Sequence, residues 1–428
     1  MVRDHLEVYE GYSILYINGN ESIFREGLQS EQAKQRYERI SGVLADRYLS
    51  KMRDDALGEN RVYYIDKETK DDLDGLVDAI TEDQGRALAA LTFLLLTIKA
   101  IEPEQSIRLH KGSSNSSDFS WQEGISMRTL DQKYVTPFLR ECKLIMLNKD
   151  GFMMTRTLAE NYPYSSLYKA KIAGASDEWV NIVERVECGS ENPYEALCYL
   201  TYCLDRKAST VQMHVSELLD ALDTVKTRNL GYTLNIVKTM LDEPQKGARL
   251  FEISIHSFMQ ACVELGKVDG ELKKLSQMRS ANKKLRNLGD IEIEKGGKIV
   301  EAWDAKYSKV SLEKVLKELD DKLKTNPGTE NVGFILHDEQ KISSKIYGMM
   351  DDMGRKYSTR VTVRSFSEWV NFKTSSFKPS ELDELGYLWL RDYAETIAGR
   401  REIAPIDEPN DNWVVHLKDI IRGYEGQS

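Results

Sequence analysis

Three residues of the stretch GDIEIEKGGKIVEAWDAKY, residues 289–307, could together perform phosphodiester chemistry: Asp290, Asp304 and Lys306. Two carboxylates a few ångström apart repel each other, and the pair is costly unless a cation lies between them. Oxygen ligands that leave room for water and phosphate oxygens suit Mg²⁺. Such an ion holds a scissile phosphate, lowers the pKa of an attacking water and offsets charge on the leaving oxygen. Lys306, beside two anions, is expected to keep its charge. That suits it to orient the water and stabilise the pentavalent phosphate rather than to act as a general base.

Whether these groups meet depends on the register of a hairpin, because side chains alternate faces along a strand. A two-residue turn at Gly296-Gly297 would put Asp290 on the face of Trp303 and turn Asp304 away. A three-residue turn, Lys295-Gly296-Gly297 with one left-handed glycine, gathers Ile291, Ile293, Ile299, Trp303 and Ala305 on one face with Glu301 as its sole charge. Asp290, Glu292, Glu294, Lys298, Val300, Ala302, Asp304 and Lys306 then share the other. This register separates apolar from charged groups better and is the one expected. A β-bulge would reach the same result by another route. The pattern Asp/Glu-x-Lys also begins at Glu68, Asp131, Glu141, Asp205, Glu271, Asp320 and Glu339. Context therefore singles out Asp304: a strand position, apolar neighbours, and an acid on the paired strand. The bland alternative is a cross-strand surface ion pair.

The elements that must position these groups follow from periodicity. Phe251, Ile255, Phe258, Cys262 and Leu265 recur at helical spacing ahead of the hairpin. A helix at Ser311–Leu323, a strand NVGFILH, a helix at Lys341–Met353 and a strand TRVTVRSF follow it. The order α-β-β-α-β-α-β describes an α/β (α+β) core with a mixed central sheet. Upstream, residues 1–80 read as a mixed α/β region. It has a hairpin turning at Asn18-Gly19-Asn20 and a helix from about Ser30 to Met52. Residues 81–245 read as a mainly helical domain, with Thr81 as an N-cap, a helix at Ala87–Ile101 and another kinked near Pro137. The core is expected over 246–378 and a helical appendage over 379–428.

Bulk composition narrows the class. The chain has 428 residues, enough for two or three domains, with 41% hydrophobic and 30% charged content, as in a soluble globular protein. Its longest apolar run, Ala87–Ile98, is shorter than the ~20 residues of a membrane span. No signal segment is visible at the N-terminus, and five cysteines without C-x-x-C spacing suggest a reducing cytoplasm. No HExxH, Walker, dinucleotide-binding or nucleophile-elbow motif is present. His256, one turn from Glu252, reads as a helix-surface hydrogen bond. The net charge of −10 argues against a generic nucleic-acid coat but leaves room for a local basic surface.

An amphipathic helix bearing an acid, then Asp-x(13)-Asp-x-Lys on a hairpin, then helix and strand, resembles the PD-(D/E)xK nuclease superfamily over about residues 249–365. Asp290 matches its first acid, Asp304 its second and Lys306 its lysine. The resemblance implies a Mg²⁺ cofactor, a metal contact from the Ala305 carbonyl, and an additional acid at Glu252. Two departures are Leu288-Gly289 in place of the proline before the first acid, and Asp rather than Glu as the second. Upstream, GISMRTLDQKYVTPFL and GFMMTRTLAENYPYSSLYKAKIAGA are similar to helical regions of type II restriction endonucleases of the SacI-like group.

The expected function is a site-specific double-stranded DNA endonuclease of a restriction–modification system, for which the resemblance implies a prokaryotic cytoplasm. It would be a homodimer, with a cognate methyltransferase as functional partner. A repair or modification-dependent nuclease on the same core, and a non-catalytic interaction protein with a vestigial core, are the alternatives. For DNA phosphates the basic run Lys273, Lys274, Arg279, Lys283, Lys284 and Arg286, with Lys309, stands beside the site. For base edges the candidates are Arg128, Lys133, Arg156 and the loop Ser113–Ser117.

Overall fold

The computed structural model describes residues 3–80, 85–111, 120–153, 162–225, 229–242, 247–275, 287–337, 340–403 and 410–425. The chain is mixed α+β and divides into two compact units, Met1–Gln212 and Met213–Ser428.

In the first unit, strands β1 (His5–Tyr9), β2 (Tyr12–Ile17) and β3 (Asn20–Arg25) form an antiparallel meander. The β2–β3 turn is Asn18-Gly19, both at positive φ (49° and 79°), the turn geometry whose twist matches the flanking strands. The helix expected over Ser30–Met52 is two helices, α1 (Glu31–Ala45) and α2 (Tyr48–Ala56), separated where Arg47 takes a left-handed φ of 58°. Helix α3 (Lys67–Asp78) follows, then α4 (Arg86–Ile101), buried continuously from Leu88 to Ile98. The apolar run is therefore a core helix. Among the described residues no helix is long and apolar enough to cross a membrane.

The break expected near Pro137 comes earlier, as a π-helical turn at Asp131–Val135 between α5 (Met127–Leu130) and α6 (Thr136–Glu141). Its cause lies in Asp131. The buried carboxylate accepts N–H bonds from Phe152 and Met153 (2.9 and 3.1 Å) and the Thr136 hydroxyl, which couples the turn to a distant loop. Helices α7 (Ser176–Glu187) and α8 (Pro193–Asp223) follow, and α8 continues into the second unit.

The second unit is built on a five-stranded sheet in the order β4 (Glu271–Leu272), β5 (Ile291–Lys295), β6 (Lys298–Lys306), β7 (Asn331–Leu336), β8 (Arg360–Ser365). The first three strands pair antiparallel and the last three parallel, so β6 is the switch. Helices α11 (Leu312–Leu323) and α12 (Ser344–Tyr357) make the two parallel crossovers. Their Leu316, Leu319, Ile346 and Met350 cover the face that carries Ala302, Val332 and Phe334. The opposite face, with Ile291, Ile293 and Trp303, packs on α10 (Gly247–Glu264), α13 (Phe366–Thr374) and α14 (Pro379–Ile403). Helices α9 (Leu230–Leu241) and α15 (Asn410–Glu425) complete that layer. The C-terminal helices belong to this core: Trp389, fully buried, donates from Nε1 to the Ser254 carbonyl at 3.0 Å.

The hairpin corrects one expectation and keeps its consequence. Lys295 pairs with Lys298 across Gly296-Gly297 (φ 57° and 77°), so the turn has two residues, not three. Adjacent glycines adopt both left-handed positions without steric cost, and the tightest turn wins. A bulge then intervenes: Ile293 faces Glu301 while Glu294 faces Ile299, leaving Val300 as the extra residue. Ile299 consequently packs on the Ala302 face and Val300 on the Trp303 face, the reverse of the expected assignment. Beyond the bulge Ile291 opposes Trp303 and Glu292 opposes Ala302, which puts Asp290 on the face of Asp304.

Candidate functional site

The C-terminal end of β6 brings the three sequence candidates together. Asp304 and Lys306 project from the same face, and their Oδ1 and Nζ atoms lie 2.6 Å apart. Lys306 is further steered by Phe334, the residue paired with Asp304 on β7, with Nζ 5.7 Å from the ring centroid. From the start of β5, Asp290 reaches across: its Oδ2 accepts the Ala305 N–H at 3.1 Å. A strand residue presents its N–H and C=O to the same edge. The Ala305 carbonyl therefore faces the edge of Asp290, while the Lys306 carbonyl faces β7 and accepts from His337 N at 2.9 Å.

Asp290 and Asp304 share one face of the hairpin, and Asp290 holds its proton well above the usual carboxylate range. Burial is the first cause of the elevated affinity of Asp290 for that proton. The negative charges of Asp304 and then Glu252 add to it, and the Ala305 N–H opposes. Together they push its pKa up to about 8.

Two residues that the sequence did not single out hold Asp290 in place. Glu292, 4% exposed, accepts N–H bonds from Leu288 (2.6 Å) and Gly289 (3.3 Å) and pairs with Lys273 Nζ at 3.0 Å. It clamps the bend that delivers Asp290. Gly289 lies directly on the backbone of Trp303: a Cβ there would meet the Trp303 carbonyl oxygen at 2.6 Å. This contact accounts for a glycine where the nuclease pattern has proline. The departure from the pattern was the one signal available for it; Glu292 gave none, since nothing in the alternation distinguishes a buried acid from an exposed one.

Glu252 is near enough to act on Asp290 by charge, but its Oε2 is held by the buried Arg249 at 2.5 Å. Among the described residues no three His, Cys, Asp or Glu side chains form a group that could hold a metal ion. The available donors are two carboxylates and the Ala305 carbonyl. Mg²⁺ accepts such a set, because it keeps several waters and is usually held by one or two carboxylates plus substrate phosphates. His256 donates from Nε2 to the Lys273 carbonyl at 3.0 Å, tying α10 to β4. The bond to Glu252 expected from their spacing is not this one.

Among the described residues, the expected DNA contacts fall in both units. Lys309 is exposed just past β6. Lys273 opens the basic run but serves the fold, paired with Glu292 and with Glu294 at 3.5 Å. Arg279, Lys283, Lys284, Arg286 and Arg156, with the loop Ser113–Ser117, lie outside the described residues. Arg128 and Lys133 belong to the first unit. Arg128 Nε donates to the Met153 carbonyl at 3.1 Å, and the exposed Lys133 lies over the ring of Tyr134 at 5.1 Å. No protein-family model matches the chain, and comparison with curated proteins gives no match either.

Proposed function

We propose that the protein is a Mg²⁺-dependent nuclease with a PD-(D/E)xK core. Within that class we propose a site-specific double-stranded DNA endonuclease of a restriction–modification system. The observation that carries the reading is the convergence of two carboxyls on one sheet face, an adjacent backbone carbonyl and a lysine at the end of the switch strand. The location also favours it, since ligands of open α/β sheets bind outside the carboxyl ends of strands.

In this reading Asp290, Asp304 and the Ala305 carbonyl would hold Mg²⁺, which would lower the pKa of water and offset charge on the scissile phosphate. Asp290 would have to be ionised to serve as a ligand. The Ala305 N–H keeps the Asp290 carboxylate oriented. Lys306, fixed between Asp304 and Phe334, offers its ammonium to the attacking water and to the phosphate oxygens that gain charge. Glu292 and Gly289 act through Asp290 and are positioning residues.

Incubation of the full chain with phage DNA and Mg²⁺ is expected to yield discrete fragments. Asp304→Ala should lower the rate at least about a hundredfold, since even outer-shell changes at metal sites cost 10- to 100-fold. Intact DNA across diverse substrates, or undiminished cutting by Asp304→Ala, would refute the assignment. Cutting confined to methylated, damaged or branched DNA would instead select another nuclease on the same core.

A further inference from the structure

The first unit contains a second concave site, of about 590 Å³, between the segment that follows α2, helix α3 and one face of α8. That volume lies within the range of small-molecule pockets. Its walls are Tyr63, Tyr199 and Tyr202, and each ring carries its own cation. Arg61 lies over Tyr63 at 5.8 Å, Lys70 over Tyr199 at 5.4 Å and Arg206 over Tyr202 at 5.6 Å. Tyr199, Tyr202 and Arg206 share a helix face at i, i+3 and i+7. The rings are fixed: the Tyr63 hydroxyl donates to the Ala56 carbonyl at 2.7 Å and the Tyr199 hydroxyl to Asp74 at 2.8 Å.

Asp205 is the one carboxylate of the lining and is paired with Arg53 at 3.0 Å. Arg61 is engaged by Glu195 at 2.8 Å and Asp55 at 3.6 Å. Among the described residues Lys70 and Arg206 have no carboxylate oxygen within ion-pair distance, so these two cations face the pocket without a direct ion pair. A phosphate monoester carries about −1.5 to −2 at neutral pH and can engage both cations, whereas a bridging diester carries about half as much. Flat, rigid aromatic walls add a stacking surface of the kind on which bases are held.

We propose that this pocket binds a nucleoside 5′-monophosphate group, with the phosphate between Lys70 and Arg206 and the base against the tyrosines. The group could arrive as a free nucleotide or as the 5′-phosphorylated end of a strand. Binding would be read by calorimetry on the full chain without Mg²⁺, so that it stands apart from any nuclease activity. The probes are adenosine 5′-monophosphate, adenosine and inorganic phosphate. The monophosphate should bind about tenfold or more tighter than either fragment. The Lys70→Gln/Arg206→Gln double variant, altered only at exposed side chains, should lose about tenfold while melting like wild type. Tyr202→Leu should erase the preference for the monophosphate over phosphate alone.

A short oligonucleotide with a 5′-phosphate, but not its 5′-hydroxyl counterpart, should compete if strand ends are the source; failure of both to compete assigns the site to free nucleotides. The proposal is overturned if the monophosphate binds no tighter than phosphate, or if the double variant binds as well as wild type.

Discussion

At Asp290 the fold keeps a carboxyl protonated well above its usual range, and the consequence is measurable. The folded pKa of about 8 exceeds the ordinary 3.8, so between these values the folded protein holds a proton that the unfolded chain has released. The stabilisation from this group is complete below the lower value and is lost as pH rises through the upper one. On the metal role proposed for this site, Mg²⁺ would have to displace that proton. Its affinity should therefore climb by up to about tenfold per pH unit up to pH ~8 and level off above, with proton release on binding near neutrality. Affinity independent of pH between ~6 and ~8 would contradict that displacement, and Asp290→Asn should abolish both binding and its pH dependence. Gly289→Ala tests the support beneath. Its methyl group meets backbone that cannot rotate away, and overpacking of this kind costs about 1–3 kcal/mol. Cleavage should fall even where the protein remains folded at low temperature. The acids and lysine were legible in the sequence because strand alternation is a local property. The clamp from Glu292 was not, because whether an acid is buried depends on residues far away in the chain.

The hairpin shows how an element can be predicted for the wrong reason. Alternation of Ile291, Ile293 and Trp303 against charge required the two acids to share a face, and they do. The pattern could not tell an extra residue in the turn from an extra residue in the strand, since each shifts the phase by one. Glycine flexibility at 296 and 297 settled it in favour of the short turn plus bulge. Short-range signals were likewise silent on β4, whose two residues exist only through pairing with β5, and on the π-helical turn, whose cause is an acid satisfied by a loop some twenty residues on. Trp303 links this hairpin to α13: it packs edge-on to Trp369 at 5.8 Å, and both are buried. Trp303→Ala should destabilise its unit by about 3–5 kcal/mol, read as a fall in denaturant midpoint.

At the scale of the whole chain the two compact units each have their own apolar core, one around Trp179 and α4, the other around Trp303 and α10. Separate cores are expected to melt in separate transitions. Trp179→Ala should move one transition and Trp303→Ala the other; a single transition shifted equally by both would show one cooperative system. The division was hard to read from sequence because it falls inside α8, where helical periodicity runs on without a Gly, Pro or polar linker to mark it. The mixed sheet and the helical upstream region were legible, since long periodic elements dominate them. The charge balance also bears on function at this scale. A chain of net charge −10 repels DNA at long range, so cleavage that depends on a few local cations should weaken sharply with added salt.

The bulge at Val300 has an implication for inheritance. Loss of that one codon would let Ile299 precede Glu301 directly, leaving every downstream partner where it stands, at the cost of the valine's packing and the Glu330 N–H bond to its carbonyl. Loss of the Ala302 codon would also remove the bulge, but it would put Glu301 opposite Glu292, in the fully buried place of Ala302. Two single-codon lesions a few nucleotides apart should therefore differ in outcome, one a slower enzyme and the other none.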